Sequence, residues 1–598
     1  MSYVGPRTVL TVDLSTKTSH RFELDDATFA RVLGGVGLAV ELIYNYLVTN
    51  DLFAIDPLGP ENPIVFAAGP FSSTPVPAAN KHAIATISPL TGLLNEGLSS
   101  SHWSAVLRRC GLAALIVTGV ADRWTLLVVE GDRVRFEEAD SLLGFSAREV
   151  TKLVRDRLVD RTARVCSIGR AGERGVRYAS VENDGRQAGR GGTGAVFGAK
   201  RLKAIALRGR GEVALADPAA TAELAAALRE RAIGPATAKY RVLGTGANMR
   251  VLERMGQLPT RNFTGATFAG VERVTPEYAR EHRGDYLELR AGCAGCPVQC
   301  EHMYVRKDRD RRSAGASEYE SVWAFGPNCG IDSLDAVLDA IALCDREGLD
   351  TISTGGSIAF AMECVARGLL DENVFGTPLR FGNADVLVPA IEAIVAGRGF
   401  GATLALGVRA AAEKIGGESA TFAMHAKGLE LPGYEPRALP TYALGLATCT
   451  RGACHNRAAT YDTDLRNPGA ATNDGERAAA AIAAEDYAIV WDSLVLCKFV
   501  RDCFADFYRE AAALWTAVTG RPLEADALRA SAVHIWHRKR AINARIGWTL
   551  ADDRLPPRLT HEAIADGVLA GLHIDEAALD SLQTLYEMKR EHQRQLVG

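Results

Sequence analysis

Three cysteines stand within eight residues, Cys293-Ala-Gly-Cys296-Pro-Val-Gln-Cys300. The C-x2-C step carries two sulfurs round a tight turn, and the x3 step brings a third. That set is compact enough to hold three irons of one cubane, and a [4Fe–4S] cluster takes its fourth thiolate from anywhere in the chain. Such a centre does one-electron chemistry. The rivals are zinc and unpaired structural cysteines. Zinc sites usually show a second Cys/His pair at finger-like spacing, and none follows here.

A second chemical feature is rich in glycine and arginine: Arg186-Gln187-Ala188-Gly189-Arg190-Gly191-Gly192. Guanidinium forks and free backbone N–H groups in such a nest suit an anion. A nucleotide loop is the obvious rival. The segment has neither the G-x4-GK[ST] order nor a G-x-G-x-x-G after a strand.

These residues sit in a chain of 598 residues, 47% hydrophobic and 23% charged. That length suggests three or four domains and is ample to bury a cofactor. A net charge of −4 and a pI near 6.4 argue against nucleic acid as a partner. The N-terminus shows no export signal and no apolar run is long enough to span a bilayer. Twelve scattered cysteines do not form a small disulfide scaffold. A reducing cytoplasm is the default expectation.

The elements that must position the site change in character along the chain. Residues 1–210 read as β-rich. Thr8–Leu14 followed by Ser15–Thr18 predicts a hairpin, and residues 64–68, 83–87, 114–118 and 124–129 predict strands. Ser146–Leu158 has helical spacing. From about 211 alanine-rich helical patterns take over, at 214–232, 334–342, 357–367 and 386–395. After about 420 the chain stays mostly helical, at 478–483, 504–518 and 525–538. The fold class is therefore α+β, divided at 1–210, 211–420 and 421–598. No segment of the sequence repeats another.

Further motifs run nearly end to end. They are Leu33-Gly34-Gly35-Val36-Gly37, Asp56–Pro63, Ser88–Gly92, Ser167–Glu173, Glu318-Tyr319-Glu320-Ser321, Asn328–Asp332, Asp345-Arg-Glu-Gly348-Leu349-Asp350, Gly428–Tyr434, Arg451-Gly452-Ala453-Cys454-His455 and Asp492-Ser-Leu-Val495-Leu496-Cys497. Together with the cysteine triplet, they resemble the aldehyde ferredoxin oxidoreductase family of tungsten, sometimes molybdenum, pterin enzymes.

The resemblance implies a β-rich base for two molybdopterins under two helical domains, with tungsten or molybdenum between the pterins. One [4Fe–4S] cluster lies beside one pterin, and Cys497 is its fourth ligand. It implies that the motifs Asp345–Asp350 and Asp492–Cys497 each grip one pterin. Asp345, Asp350 and Asp492 would then accept N–H bonds from the guanidine-like pterin edge, a strong bidentate pairing; Gly348, Leu349 and Leu496 complete the loops. Arg186, Gly189, Arg190, Gly191 and Gly192 meet phosphates, which Mg2+ bridges near Gln187. His455 is the acid–base histidine and Glu318, in preference to Glu320, the carboxylate. The expected reaction takes an aldehyde and water to a carboxylic acid and passes electrons to ferredoxin or a dedicated iron–sulfur subunit.

The match departs in four places. Val495 replaces a glycine. Lys81 replaces a phosphate-binding arginine and meets phosphate as a point charge, without the fork. Leu98-Ser-Ser-Ser-His102-Trp103 replaces an asparagine–serine–glycine–glycine segment, so His102 either adds a titratable group to the pocket or merely packs or faces solvent. No E-x-x-H supplies an interfacial iron. Two alternatives follow: an active-site subunit that reduces benzoyl-coenzyme A, acting on an acyl-CoA, and a non-catalytic relay that keeps only the cluster. Oligomeric state, and tungsten against molybdenum, stay open.

Overall fold

A computed structural model describes residues 3–597 apart from 283, 467, 468 and 470. The N-terminal third holds two six-stranded sheets. In the first, the order is 18–23, 8–13, 112–118, 64–68, 81–87, 94–100. In the second it is 133–138, 125–130, 202–207, 164–167, 181–183, 186–188. Each begins with a hairpin, has one parallel pair next to it, and continues antiparallel. Each also inserts a helix after its hairpin (35–49 and 147–157) and another before its last strand (103–109 and 193–199).

The N-terminal region is therefore one hairpin–helix–three-strand–helix–strand unit used twice. The repeat is one of topology, which the absence of a repeated sequence did not announce. The central strands read as mostly apolar runs, such as Leu112–Thr118 and, with Lys203 buried against Glu173, Leu202–Leu207, because both faces are covered. Those side chains only have to be apolar and β-branched or small, so the duplication leaves no shared residue pattern.

The expected hairpin forms, with Thr8 opposite Glu23 and Asp13 opposite Thr18. The expected helix at 146–158 runs from Ala147 to Arg157, started by a capping box between Ser146 and Glu149. The rest is mainly helical and the class is α+β. Helices 334–347, 351–366 and 387–396 build one apolar core, and helices 474–494, 507–519, 525–545 and 576–597 another.

Helix 525–545 reaches back to the edge strand of the first sheet. Asn543 Oδ1 accepts from Leu94 N–H at 2.9 Å, and Lys539 Nζ lies 2.7 Å from Glu96 Oε1. The C-terminal helix is locked onto helix 474–494 by Arg590, fully buried between Glu485 and Asp486. Among the described residues no single helix is long and apolar enough to cross a membrane.

Candidate functional site

Where the two sheets meet the helical regions lies a cavity of about 1,440 Å³. The first sheet contributes Lys81, Leu98 and Ser100, and the second Arg186, Gln187 and Gly189. All four predicted cluster cysteines line it: Cys293, Cys296, Cys300 and Cys497. Cys497 N–H donates to Ala78 O at 2.9 Å, and Asn80 Nδ2 to Ala294 O at 3.0 Å, so one stretch of the first sheet holds both cysteine segments.

Burial pushes the Cys296 thiol up to about 11, with Cys497 and Cys293 adding to it. Cys300 is raised by burial and then by the same two neighbours. Thiols raised as Cys296 and Cys300 are keep their protons without a positive core, and metal binding removes such protons. Among the described residues, no three His, Cys, Asp or Glu groups converge on a single-ion site. Four sulfurs lining one cavity suit a multi-iron cluster, in which each sulfur binds its own iron.

Lys81 projects among these thiols. Burial opposes its charge, but Cys497, Cys293, Cys300 and Asp492 outweigh that and hold the ammonium above its usual range. Arg186 is likewise opposed by burial and favoured by Cys293, Glu301 and Glu318, with Glu301 at 2.7 Å. A Cβ added at Gly189 would meet open space, so the backbone there faces the cavity bare. Gln187 Oε1 accepts from Ser180 Oγ at 2.7 Å.

Other members of the glycine–arginine segment are engaged elsewhere. Gly191 and Gly192 have φ +85° and +78° and pack against Asn95 and the Arg177 carbonyl, away from the cavity. Arg190 donates to Ala453 O, Glu430 O and Asp350 Oδ2 at 2.5–3.1 Å, using three of its five N–H groups within the protein. Of the three only Arg190 lines the cavity, and together they leave less for a phosphate than their composition implied.

The two aspartate motifs both sit at helix C-termini. Asp345 lines the cavity, and burial with Glu318, Glu182 and Glu301 nearby pushes it up to about 8. A carboxyl so short of cations suits a ligand that brings N–H donors. Leu349 and Asp350 also line the cavity, whereas Gly348 packs on Gly169. Asp350 caps helix 351–366 through Ile352 N–H and accepts from Ser353 Oγ at 2.6 Å.

Asp492 and Leu496 lie behind the cavity wall. Asp492 is buried yet held below the usual carboxylate range, because Arg457 and Lys498 outweigh the burial. Its Oδ1 has no hydrogen-bond partner, nor do Arg451 Nε and Nη2, Arg457 Nε and Glu96 Oε2. Orphaned buried polar atoms of both signs are rare in a finished interior. With the uncompensated Asp345 and the bare Gly189 backbone, they fit a polar organic cofactor. Arg451, Arg457, Glu96 and Lys539 were not foreseen as a set, because the long-range pairing that joins them leaves no local signal.

On the cavity wall next to these cations, His455 Nδ1 stands 3.5 Å from Glu320 Oε1, and neither atom has another partner. Asn456 Nδ2 donates to His455 Nε2 at 2.8 Å, which leaves the ring proton on Nδ1, facing Glu320. Burial holds His455 well below its usual range, reinforced by Arg190, Lys498 and Arg457. Burial raises Glu320 to about 7, against the Gly433 N–H bond at 2.9 Å and Arg190. A neutral imidazole beside a carboxyl raised to about 7 can donate a hydrogen bond and exchange a proton with a bound group.

Glu318 also lines the cavity, but on the side of Arg186, Cys300 and Asp345. The geometry thus favours Glu320 over the expected Glu318 as the partner of His455. Tyr434 and Tyr461, stacked at 4.5 Å, wall the same end, with Tyr434 5.9 Å from His455. His102 is half exposed, bonded to Ser101 and 3.7 Å from Asp184, and does not reach the cavity.

Two family models match the chain. The aldehyde ferredoxin oxidoreductase N-terminal domain covers residues 9–209, and domains 2 and 3 of that enzyme cover 222–591. A tungsten-containing aldehyde ferredoxin oxidoreductase of Pyrococcus furiosus is 33% identical over 93% of this chain and 91% of its own. Its namesake in Thermococcus kodakarensis is 32% identical over 93% and 92%. The active-site complex BamBC of benzoyl coenzyme A reductase, solved with 1,5-dienoyl-CoA, superposes with a TM-score of 0.83 over 99% of this chain and 95% of that one, at 21% identity, and shares the fold.

The chain belongs to the aldehyde ferredoxin oxidoreductase family. It is an oxidoreductase of that type, and membership implies a tungsten–pterin cofactor.

Proposed function

We propose that the protein oxidises an aldehyde with water to a carboxylic acid and passes the electrons through a [4Fe–4S] cluster to ferredoxin or an iron–sulfur subunit. The observation that carries this reading is the Glu320–His455 pair facing the same cavity as four thiols. Cys293, Cys296, Cys300 and Cys497 would hold the cluster. Asp345, Leu349 and Asp350 would hold one pterin, and Asp492 and Leu496 the other. Arg186, Gln187, Gly189 and Lys81 would meet phosphates and their Mg2+. The three-part division at 210 and 420 belongs to the same reading.

When bound, the tungsten–pterin group would accept the two electrons of the substrate. The chain's own part is proton handling and exclusion of water. Glu320, as the carboxylate above about pH 7, takes a proton from the attacking water and becomes the neutral acid, while His455 steadies the carbonyl oxygen through Nδ1–H. The stacked tyrosines keep the pair out of bulk solvent, which preserves its shifted protonation.

Elemental analysis of anaerobically purified protein tests the assignment: about one W or Mo and about four Fe per chain are expected, the iron from one cubane. Aldehyde-dependent viologen reduction tests the reaction. Glu320→Gln should lower kcat by about 10²–10⁴-fold and flatten the rise in activity through about pH 7, with metals retained. Glu318→Gln should keep that pH limb. Turnover of an aromatic acyl-CoA with no aldehyde activity would move the chain to the benzoyl-coenzyme A reductase-like reading, which the shared fold keeps in view.

A further inference from the structure

Both cysteine segments come close to the surface under one roof. Gly292, Gly295 and Gln299 of the triplet loop are exposed. Residues 229–242, the end of one helix and the start of another, pack over this loop. Arg229 Nη2 donates to Gly295 O at 3.5 Å, and Tyr240 O accepts from Nε2 of His302, two residues past Cys300, at 3.3 Å. The Arg290 guanidinium bonds the Arg241 carbonyl. Tyr240 also stacks at 4.4 Å on Phe499, two residues past Cys497.

The roof is basic in a protein of net charge −4. Residues 229–242 carry Arg229, Arg231, Lys239 and Arg241 against Glu230 alone. Among the described residues, Arg231 pairs with Glu510 at 2.5 Å, while Arg229, Lys239 and Arg241 have no carboxylate in ion-pair range. Between these cations stand two large apolar side chains, Ile233 at 52% and Val242 at 50% exposure. Apolar side chains ringed by uncompensated charge mark an interaction surface. Electron-transfer encounters use small patches of this kind, where charge sets orientation and on-rate.

We infer that residues 229–242 with the 292–299 loop form the docking site of a small acidic electron carrier, itself an iron–sulfur protein. The inference rests on the cluster reading above and adds the place and chemistry of the partner. Ile233 and Val242 supply the contact that sheds water. Arg229, Lys239 and Arg241 steer the carrier's carboxylates. Aldehyde and water yield the acid, two protons and two electrons, so two carriers in turn each leave reduced by one electron.

The test is direct binding of a small acidic ferredoxin to anaerobic holoenzyme, by calorimetry, across a salt series. Binding should weaken steeply with salt. The double variant Lys239→Glu, Arg241→Glu should weaken it by about tenfold or more through lost steering and new repulsion. Ile233→Ser should weaken it with the salt slope unchanged. Both variants should keep parental iron and parental viologen reduction.

Ferredoxin binding unmoved by both variants, with iron and dye reduction intact, overturns the docking site and leaves the cluster standing. Equal affinity for a basic cytochrome overturns it too. A parent protein without iron overturns the cluster and this surface together.

Discussion

The two halves of the N-terminal region present the same corner to the helical body and solve it differently. Gly69 follows strand 64–68 of the first sheet, and Gly169 follows strand 164–167 of the second. Against each packs a residue in the left-handed region just past a helix: Val495 (φ 55°) on Gly69, and Gly348 (φ 78°) on Gly169. At Gly348 the usual solution holds, a glycine C-cap without steric cost.

At the other corner, Val495 is a β-branched residue where φ is positive, a costly choice. Its Cγ2 fills the space a Cβ on Gly69 would need, so the missing side chain there is what seats the valine. The valine that departs from the family's glycine is thus accommodated by the bare backbone of Gly69. The carboxylates differ as well. Asp345 faces other acids, whereas Asp492 faces Arg457 and Lys498. The motifs end in Asp350 and Cys497, a helix cap in one case and a predicted cluster ligand in the other.

That contrast can be broken at several points. The largest effect is expected at the last position of each motif. Cys497→Ala should remove most of the iron and abolish dye reduction. Asp350→Ala should leave iron in place while costing about 1–2 kcal/mol through the lost cap and freeing Arg190, read from denaturant midpoints and iron content together.

Next is the corner itself. Gly348→Val should destabilise by roughly 3 kcal/mol, combining left-handed strain with overpacking onto Gly169. Val495→Gly relieves similar strain but empties a buried site, so a net loss of only about 1 kcal/mol is expected. Equal losses would erase the asymmetry.

The smallest effect separates the two carboxylates by pH in cofactor-free protein. Asp345 has a folded-state pKa of about 8, above its unfolded value. The folded state therefore binds the extra proton, and stability falls as pH rises from about 4 to about 8. Asp345→Asn should raise the melting temperature at pH 8 and leave it unchanged near pH 4. Asp492 is depressed, so it adds stability above its unfolded pKa that is lost as pH falls through the folded one. Asp492→Asn should lower the melting temperature at neutral pH, with the deficit closing in acid.

Much of this was legible in the sequence, for identifiable reasons. Thiol spacing is local chemistry, and the hairpin and the capped helix at 147–157 announce themselves through turn and capping residues. Their positions needed only period and cap. The sequence ranked Glu318 above Glu320, whereas the fold sets Glu320 beside His455, because two residues of offset at a helix start turn side chains to different walls. Gly191 and Gly192 read as anion-binding for the same reason they make good turns: both uses need positive φ. The set joining Glu96, Arg451, Arg457, Asp492 and Lys539 spans 444 positions, from 96 to 539, beyond any local pattern.

The amide of Gly37 bonds the hydroxyl of Ser493, and Cys497 hangs from Ala78. At roughly 10 residues per second, the first sheet waits about 40 seconds on the ribosome before those partners are made. Throughout that time the nascent chain holds half of the cavity wall, uncovered. Closure of the cavity is accordingly an event for finished chains.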